Sequence, residues 1–183
     1  MTLKKNKYSL WLTPSGAERE EIQVLVDNLA RECETETFIP HVTLVANIYA
    51  TDSELEYVKK QLSIIATNTE VFTIDFTGYD YKDEKFRALY EKIDSEKLRK
   101  LYDVVAGSFR QVREEHFRVE PHMSVVYVEA TKDDKQSMIT RNAFPLSNCV
   151  IEGFELYKTN DPVSSWLLEE SYSFKTTPGG REH

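Results

Sequence analysis

The segment Pro40-His41-Val42-Thr43-Leu44 has a close counterpart later in the chain, Pro121-His122-Met123-Ser124-Val125. Both segments consist of a proline, a histidine, an apolar residue, a hydroxyl residue and another apolar residue. Because successive side chains of a β-strand alternate between its two faces, each segment would present its histidine and its hydroxyl on the same face. The apolar residue between them would point into the core. The pair therefore predicts two strands that bring two imidazoles and two hydroxyls to one surface.

The two segments occupy equivalent places in a repeated order of elements. The order is a strand, a helix and a Pro-His strand, and it occurs first over residues 7–12, 17–32 and 38–48, and again over 86–93, 96–112 and 121–128. The helices are predicted from apolar residues spaced three and four apart. The repetition predicts two related lobes that face each other, each of which contributes one histidine.

The remaining elements complete an α+β prediction. Thr51-Asp52-Ser53-Glu54 is an N-cap signal for a helix that ends near residue 67, and a short helix is predicted over 131–142. Further strands are predicted over 71–81, 149–158 and 165–176. We expect a single domain over residues 1–183, with two pseudo-symmetric lobes, each an antiparallel β-sheet flanked by helices, and a central cleft.

Charge and composition restrict the partners and the compartment. The net charge of −8 opposes binding of long nucleic acid, which usually requires a basic excess, but it permits a small nucleotide substrate in a locally positive pocket. Cys33 and Cys149 form no CxxC pattern and indicate reduced thiols in an intracellular, cytoplasmic protein. No stretch approaches the ~20 apolar residues of a membrane span. We expect a monomer.

The four polar side chains of the paired segments suit phosphoryl transfer at a ribose cyclic phosphate. This reaction needs a base that takes a proton from water and an acid that protonates the departing ribose oxygen, and histidine serves either role near neutral pH. His41 and His122 are the candidate catalytic residues, and either one could be the acid. Thr43 and Ser124 can donate hydrogen bonds to the non-bridging phosphate oxygens.

A zinc site is a weaker interpretation of the two histidines. Structural and catalytic zinc sites usually take three or four protein ligands, and no HxH, HExxH or CxxC pattern supplies the others. We therefore predict neither a metal nor another cofactor. His116 and His183 lie outside the paired pattern and are interpreted as exposed residues without a role.

With these motifs the chain resembles the two-histidine (2H) phosphoesterase superfamily, whose signature is two His-x-Thr/Ser motifs, and within it the cyclic phosphodiesterases of plant and fungal type. The similarity extends to the opening strand Tyr8-Ser9-Leu10-Trp11-Leu12 and to Lys158-Thr159-Asn160 followed by Trp166. The resemblance implies hydrolysis of nucleoside 2′,3′-cyclic phosphates to 2′-phosphates. It also implies hydrolysis of ADP-ribose 1″,2″-cyclic phosphate, a by-product of tRNA splicing, to the 1″-phosphate.

The resemblance also bears on individual residues and on location. It assigns His41 and His122 to catalysis and Thr43 and Ser124 to phosphate binding. Some fungal relatives are associated with the Golgi, which makes that location a second possibility beside the cytoplasm.

Two aromatic residues are candidates for substrate binding. Tyr127 lies three residues after Ser124, so on an ideal strand it would face the opposite side, and a place near the ligand requires a twist or a bulge. Phe86 could stack on a base at the mouth of the cleft. Both positions also suit core packing, which is our interpretation of Trp11 and Trp166.

Two other functions fit the same motifs. The chain could be a 2′-5′ RNA ligase or a phosphodiesterase that acts on longer RNA, although the acidic balance argues against this. It could instead be a module that binds a nucleotide without turnover, although both histidines and both hydroxyls are present.

Overall fold

The structure, a computed structural model, describes residues 4–109, 112 and 120–176. The strands in these ranges are β1 (Asn6–Leu12), β2 (Val42–Ala50), β3 (Phe72–Asp80), β4 (Leu89–Asp94), β5 (His122–Val126), β6 (Asn148–Ile151), β7 (Gly153–Lys158) and β8 (Leu167–Ser173). The helices are α1 (Gly16–Glu32), α2 (Asp52–Ala66), α3 (Glu96–Ser108) and α4 (Lys132–Arg141). Short 3₁₀ turns are formed by Lys85–Arg87 and Val163–Ser165. The predictions for His116 and His183 fall outside the described ranges.

All eight strands belong to one antiparallel sheet in the order β6-β3-β4-β5-β2-β1-β7-β8. The sheet consists of two four-stranded halves, because β5 and β2 meet at its centre through the single residue pair Val42 and Met123. β1 precedes β2 in one half as β4 precedes β5 in the other, and each pair is joined by a helix. The predicted α+β class with two related antiparallel halves is confirmed.

The helices that join these strand pairs connect the two halves of the sheet. α1 follows β1 but packs against β5 of the other half, and α3 follows β4 but packs against β2. Each helix buries the apolar stripe that its sequence predicts, for example Ile22, Leu25 and Leu29 of α1. Because α1 and α3 cover one face of the central strands, the polar side chains of β2 and β5 are left to the opposite face.

Two of the helices begin with reciprocal capping hydrogen bonds. The Thr51 hydroxyl accepts from the Glu54 backbone N–H, and the Glu54 carboxylate accepts from the Thr51 N–H at 2.7 Å. Thr131 and Asp134 make the same arrangement at the start of α4. The N-cap predicted at residue 51 is therefore confirmed. Of the helices in the described chain, none has the length and apolar character needed to cross a bilayer.

The segment predicted as one strand over 149–158 is instead two strands in opposite halves of the sheet. β6 pairs with β3, whereas β7 pairs with β1 and β8. The break falls at Glu152-Gly153, where a Cβ atom on Gly153 would lie 2.1 Å from the Tyr172 carbonyl oxygen. The close approach of two backbones therefore requires glycine here, and the β-prone residues on either side conceal the change of partner.

Candidate functional site

His41 lies immediately before β2 and is buried, with 6% of its surface exposed. Its Nδ1 atom is 2.6 Å from the Ile39 carbonyl oxygen. Its ring stacks face to face on the indole of Trp11, with ring centroids 3.8 Å apart and an interplanar angle of 14°. The imidazole is therefore fixed both by a hydrogen bond in its own plane and by an aromatic ring against its face.

His122 is the first residue of β5 and is half-buried. Its Nδ1 atom is 2.8 Å from the Glu120 carbonyl oxygen. The ring of Tyr90, from the neighbouring strand β4, meets the His122 ring edge to face at 5.1 Å. The second imidazole is thus held in the same way as the first, by a backbone carbonyl and an aromatic neighbour.

The two histidines share a local geometry that explains the proline in each motif. In both cases Nδ1 bonds the carbonyl two residues earlier, and Pro40 or Pro121 stands between the two groups. Proline fixes its own φ, so it holds that carbonyl in a set direction. A carbonyl oxygen can only accept, so Nδ1 carries the proton and Nε2 is the nitrogen left to exchange a proton.

The central strand pair brings the four polar residues of the two motifs together. Because Val42 lies opposite Met123 in an antiparallel ladder, His41 lies across from Ser124 and Thr43 lies across from His122. Val42 and Met123 are both completely buried, so the four polar side chains occupy the other face. Both imidazoles and both hydroxyls therefore lie at the junction of the two halves.

Burial lowers the pKa of both imidazoles. Burial is the main reason that the pKa of His41 falls to about 4, although the Ile39 carbonyl opposes the shift and the charge of His122 adds to it. The pKa of His122 is lowered mainly by burial, and the nearby cations Arg87 and Lys82 lower it further. Both imidazoles of the free protein are therefore predominantly neutral at pH 7.

The two hydroxyls are in different situations. Thr43 is partly exposed and its hydroxyl has no hydrogen-bond partner within the described ranges. The Ser124 hydroxyl is buried and donates to the Phe86 carbonyl oxygen at 2.8 Å. A hydroxyl has one proton, so Ser124 can donate to a phosphate only after it releases Phe86.

The predicted aromatic candidates, Tyr127 and Phe86, contact each other. Tyr127 directly follows β5, so the alternation that would turn it away from Ser124 no longer applies. Its buried ring stacks on Phe38 at 3.8 Å and meets the Phe86 ring edge to face at 5.1 Å. Burial raises the pKa of Tyr127. Phe86 lies in the 3₁₀ turn and is 48% exposed, so part of its ring is free to contact a ligand.

Both tryptophans interpreted as packing residues contact His41. Trp166 meets the imidazole edge to face at 6.3 Å and also contacts Trp11 and Tyr127. Its Nε1 donor is buried and has no partner in the part of the chain that the structure describes. The same is true of the Thr159 hydroxyl. The packing interpretation is thus incomplete, because the indoles pack on a candidate site residue.

A group of charged residues beside His122 is absent from the sequence-based site. One carboxylate oxygen of Glu120 accepts from Lys82 Nζ at 2.9 Å and from Arg87 Nη2 at 2.8 Å. These bonds, together with the charges of Lys82 and Arg87, lower the pKa of the Glu120 carboxyl to about 2. The available signal was position alone, since Arg87 follows Phe86 and Glu120 lies two residues before His122.

The described chain contains no candidate metal cluster, and a groove on its surface lies away from the histidines. In these ranges no group of three or more histidine, cysteine, aspartate or glutamate residues is placed to hold a metal ion. A groove of about 620 Å³ lies between α2 and α3, and its lining includes Ile64, Leu101 and Val104 but no residue of either histidine motif. The groove is therefore separate from the site at the centre of the sheet.

Comparisons with known proteins agree with this architecture. Residues 36–162 match the sequence model of the family described as the 2′-5′ RNA ligase superfamily. A search of curated protein sequences gives no match.

Solved structures resemble the chain over nearly its whole length. TT0787 of Thermus thermophilus has a TM-score of 0.66 and 13% identity, with 92% of this chain and 97% of that chain covered. LigT of E. coli complexed with 3′-AMP has a TM-score of 0.63 and 10% identity, with coverage of 93% and 99%. Usb1 of Kluyveromyces marxianus has a TM-score of 0.56 and 13% identity, with the same coverage. At such low identity these similarities establish the fold.

Proposed function

Since this chain belongs to the 2′-5′ RNA ligase superfamily of two-histidine phosphoesterases, we propose that it is a metal-independent cyclic phosphodiesterase that hydrolyses ribose cyclic phosphates. The substrates are small nucleotides: nucleoside 2′,3′-cyclic phosphates, which give 2′-phosphates, and ADP-ribose 1″,2″-cyclic phosphate, which gives the 1″-phosphate. The latter reaction would connect the enzyme to by-products of tRNA splicing. The free thiols of Cys33 and Cys149 favour an intracellular setting.

The observation that carries the proposal is the matched presentation of the two imidazoles. In each imidazole, Nδ1 bonds a backbone carbonyl oxygen and Nε2 is left for proton exchange. The two imidazoles lie on either side of the Val42–Met123 pair. One Nε2 takes a proton from water as the water oxygen bonds to phosphorus. The other gives a proton to the ribose oxygen as its bond to phosphorus breaks, so that a phosphomonoester and a free hydroxyl result.

The direct test replaces each histidine separately with alanine and measures hydrolysis of adenosine 2′,3′-cyclic phosphate. We expect His41→Ala and His122→Ala each to lower kcat by about 10²–10⁴-fold, the range for loss of one proton-transfer group. His183→Ala is the matched control, because it removes a histidine outside both motifs. Circular dichroism and thermal unfolding verify that the variants fold. Full activity in either motif variant would rule out the mechanism.

Action on RNA is the second candidate function, and the match to the 2′-5′ RNA ligase superfamily is the observation that favours it. Comparing adenosine 2′,3′-cyclic phosphate with a 2′-5′-linked oligonucleotide decides between the two. Because of the net charge of −8, we expect the mononucleotide to have the higher kcat/KM. Tight binding of a 2′-phosphate with no hydrolysis of either compound would instead indicate a nucleotide-binding module.

A further inference from the structure

Three cationic side chains lie beside His122, and the proposed hydrolysis uses none of them. Lys82 and Arg87 share one carboxylate oxygen of Glu120. A second carboxylate, that of Asp80, belongs to the residue directly across the ladder from Tyr90. Lys92 lies directly across the ladder from His122, and its side chain is exposed on the same face. In a chain with a net charge of −8, this is a local concentration of positive charge at the candidate site.

Ring contacts and a hydrogen bond join Arg87 to the site. Its guanidinium carbon is 5.1 Å from the centre of the Tyr90 ring, and that ring contacts His122. The bond from the Ser124 hydroxyl to the Phe86 carbonyl attaches the 3₁₀ turn that carries Arg87 to β5. The Nε–H of Arg87 is buried without a partner in the described chain. Among the residues that the structure describes, Arg87 therefore keeps a donor that no acceptor uses.

The loop that carries Lys82 is held from the other side by a buried lysine. Lys135 of α4 is 2% exposed, and its ammonium donates to the Lys82 carbonyl at 2.8 Å and to the Asp83 carboxylate at 2.9 Å. These bonds fix the backbone at residue 82. The cations thus sit on an anchored segment, which reduces the ordering cost of binding an anion.

We propose that Lys82, Arg87 and Lys92 form a second anion site, which binds a phosphate carried on the 5′ oxygen of the same ribose. The inference rests on the proposed function and names its preferred substrates: ribose cyclic phosphates with a 5′-phosphate or 5′-diphosphate. When the 2′ and 3′ oxygens close the cyclic phosphate, the 5′ oxygen is the ribose hydroxyl position left to carry another phosphate. That phosphate competes with the Glu120 carboxylate, because it offers more charge and more acceptor oxygens.

The test compares kcat/KM for adenosine 2′,3′-cyclic phosphate with and without a 5′-phosphate. We expect the 5′-phosphate to raise kcat/KM by about tenfold in the natural protein. In the double variant Lys82→Gln/Arg87→Gln, the ratio of kcat/KM with the 5′-phosphate to kcat/KM without it should fall close to one. Both substrates react at the same histidines, so the ratio cancels the effect of Arg87 on the pKa of His122. The control, Lys60→Gln/Lys132→Gln, removes equal charge from exposed positions on α2 and α4 and should keep the ratio.

A titration separates failure of this inference from failure of the proposed function. Calorimetry measures binding of adenosine 2′-phosphate and adenosine 2′,5′-bisphosphate to the natural protein and to the Lys82→Gln/Arg87→Gln variant. Suppose that neither cyclic phosphate is hydrolysed, but that the bisphosphate binds the natural protein more tightly than adenosine 2′-phosphate does and loses this advantage in the variant. The second anion site is then supported and the proposed enzymatic function is refuted. If hydrolysis occurs and the 5′-phosphate changes neither kcat/KM nor binding, the second anion site is refuted and the proposed enzymatic function is retained.

Discussion

The imidazole of His41 is more tightly enclosed than that of His122. Trp11 covers its face, Phe38 and Trp166 meet it edgewise, and the Ile39 carbonyl holds its Nδ1. This enclosure fixes the direction of Nε2, and it also disfavours the charged ring. A residue placed in this way exchanges its proton most readily in acidic solution or beside a bound anion.

The lowered histidine pKa values predict an acidic optimum. Hydrolysis by one protonated and one neutral imidazole gives a bell-shaped profile of kcat/KM, centred between the two pKa values of the free enzyme. Because the pKa values of His41 and His122 both lie below 6.5, the optimum falls below that pH whichever residue is the acid. We expect kcat/KM for adenosine 2′,3′-cyclic phosphate to fall by about tenfold per pH unit on the alkaline side.

The measurement is kcat/KM between pH 4.5 and 8.5 at substrate concentrations far below KM. Replacing Arg87 with glutamine removes a charge that lowers the pKa of His122, so it should move the profile toward higher pH. An optimum near pH 8 in the natural protein would contradict this assignment of the protons.

At the scale of single elements, the start of α2 offers a stability prediction that leaves the site untouched. Thr51→Ala removes the hydroxyl that caps the Glu54 N–H, and it should lower the free energy of unfolding by about 1 kcal/mol. Thr51→Ser keeps the cap and should retain most of that free energy. Urea unfolding measures both variants. Equal losses in the two would mean that the Thr51 methyl group, and not the cap, provides the stability.

The sequence predicts elements better than it predicts their partners. Alternation and apolar spacing locate the central strands and the helices, because those patterns follow from burial on one face. The same reasoning merges β6 and β7 into one strand, since Glu152-Gly153 interrupts a β-prone segment without a change in composition. A local pattern carries no information about which strand lies alongside, and here the partner changes from β3 to β1.

The candidate site likewise contains residues that the sequence predicts and residues that it does not. The paired motifs predict the four polar residues because each motif is local, and proximity in space follows from the repeated order of elements. Lys82, Arg87 and Glu120 come from separate positions, and each alone resembles a solvated surface charge. Only the tertiary structure shows that Lys82 and Arg87 both bind one carboxylate oxygen of Glu120 beside His122.

At the scale of the whole molecule, the two halves of the sheet depend on each other. They share one ladder pair, Val42 with Met123, and each central strand is covered by a helix from the opposite half. A change at this junction should therefore affect both stability and the relative position of the histidines.

Met123→Ala tests this dependence, with Met138→Ala of α4 as the matched control, since both side chains are buried. Each truncation should lower the free energy of unfolding by about 2–5 kcal/mol. Only Met123→Ala should also lower kcat per folded molecule, because it loosens the pair between the two imidazoles. Urea unfolding and steady-state hydrolysis measure the two effects. Unchanged kcat in folded Met123→Ala would show that the histidines are positioned independently of the junction.

The aromatic contacts of His41 have an optical consequence. Trp11 and Trp166 are the two tryptophans of the chain, and both rings contact this imidazole. Intrinsic tryptophan fluorescence therefore originates entirely beside the candidate site, and a protonated imidazole quenches a neighbouring indole. Emission recorded during an acid titration or a nucleotide addition should follow the ionisation and occupancy of the site directly, without an attached dye.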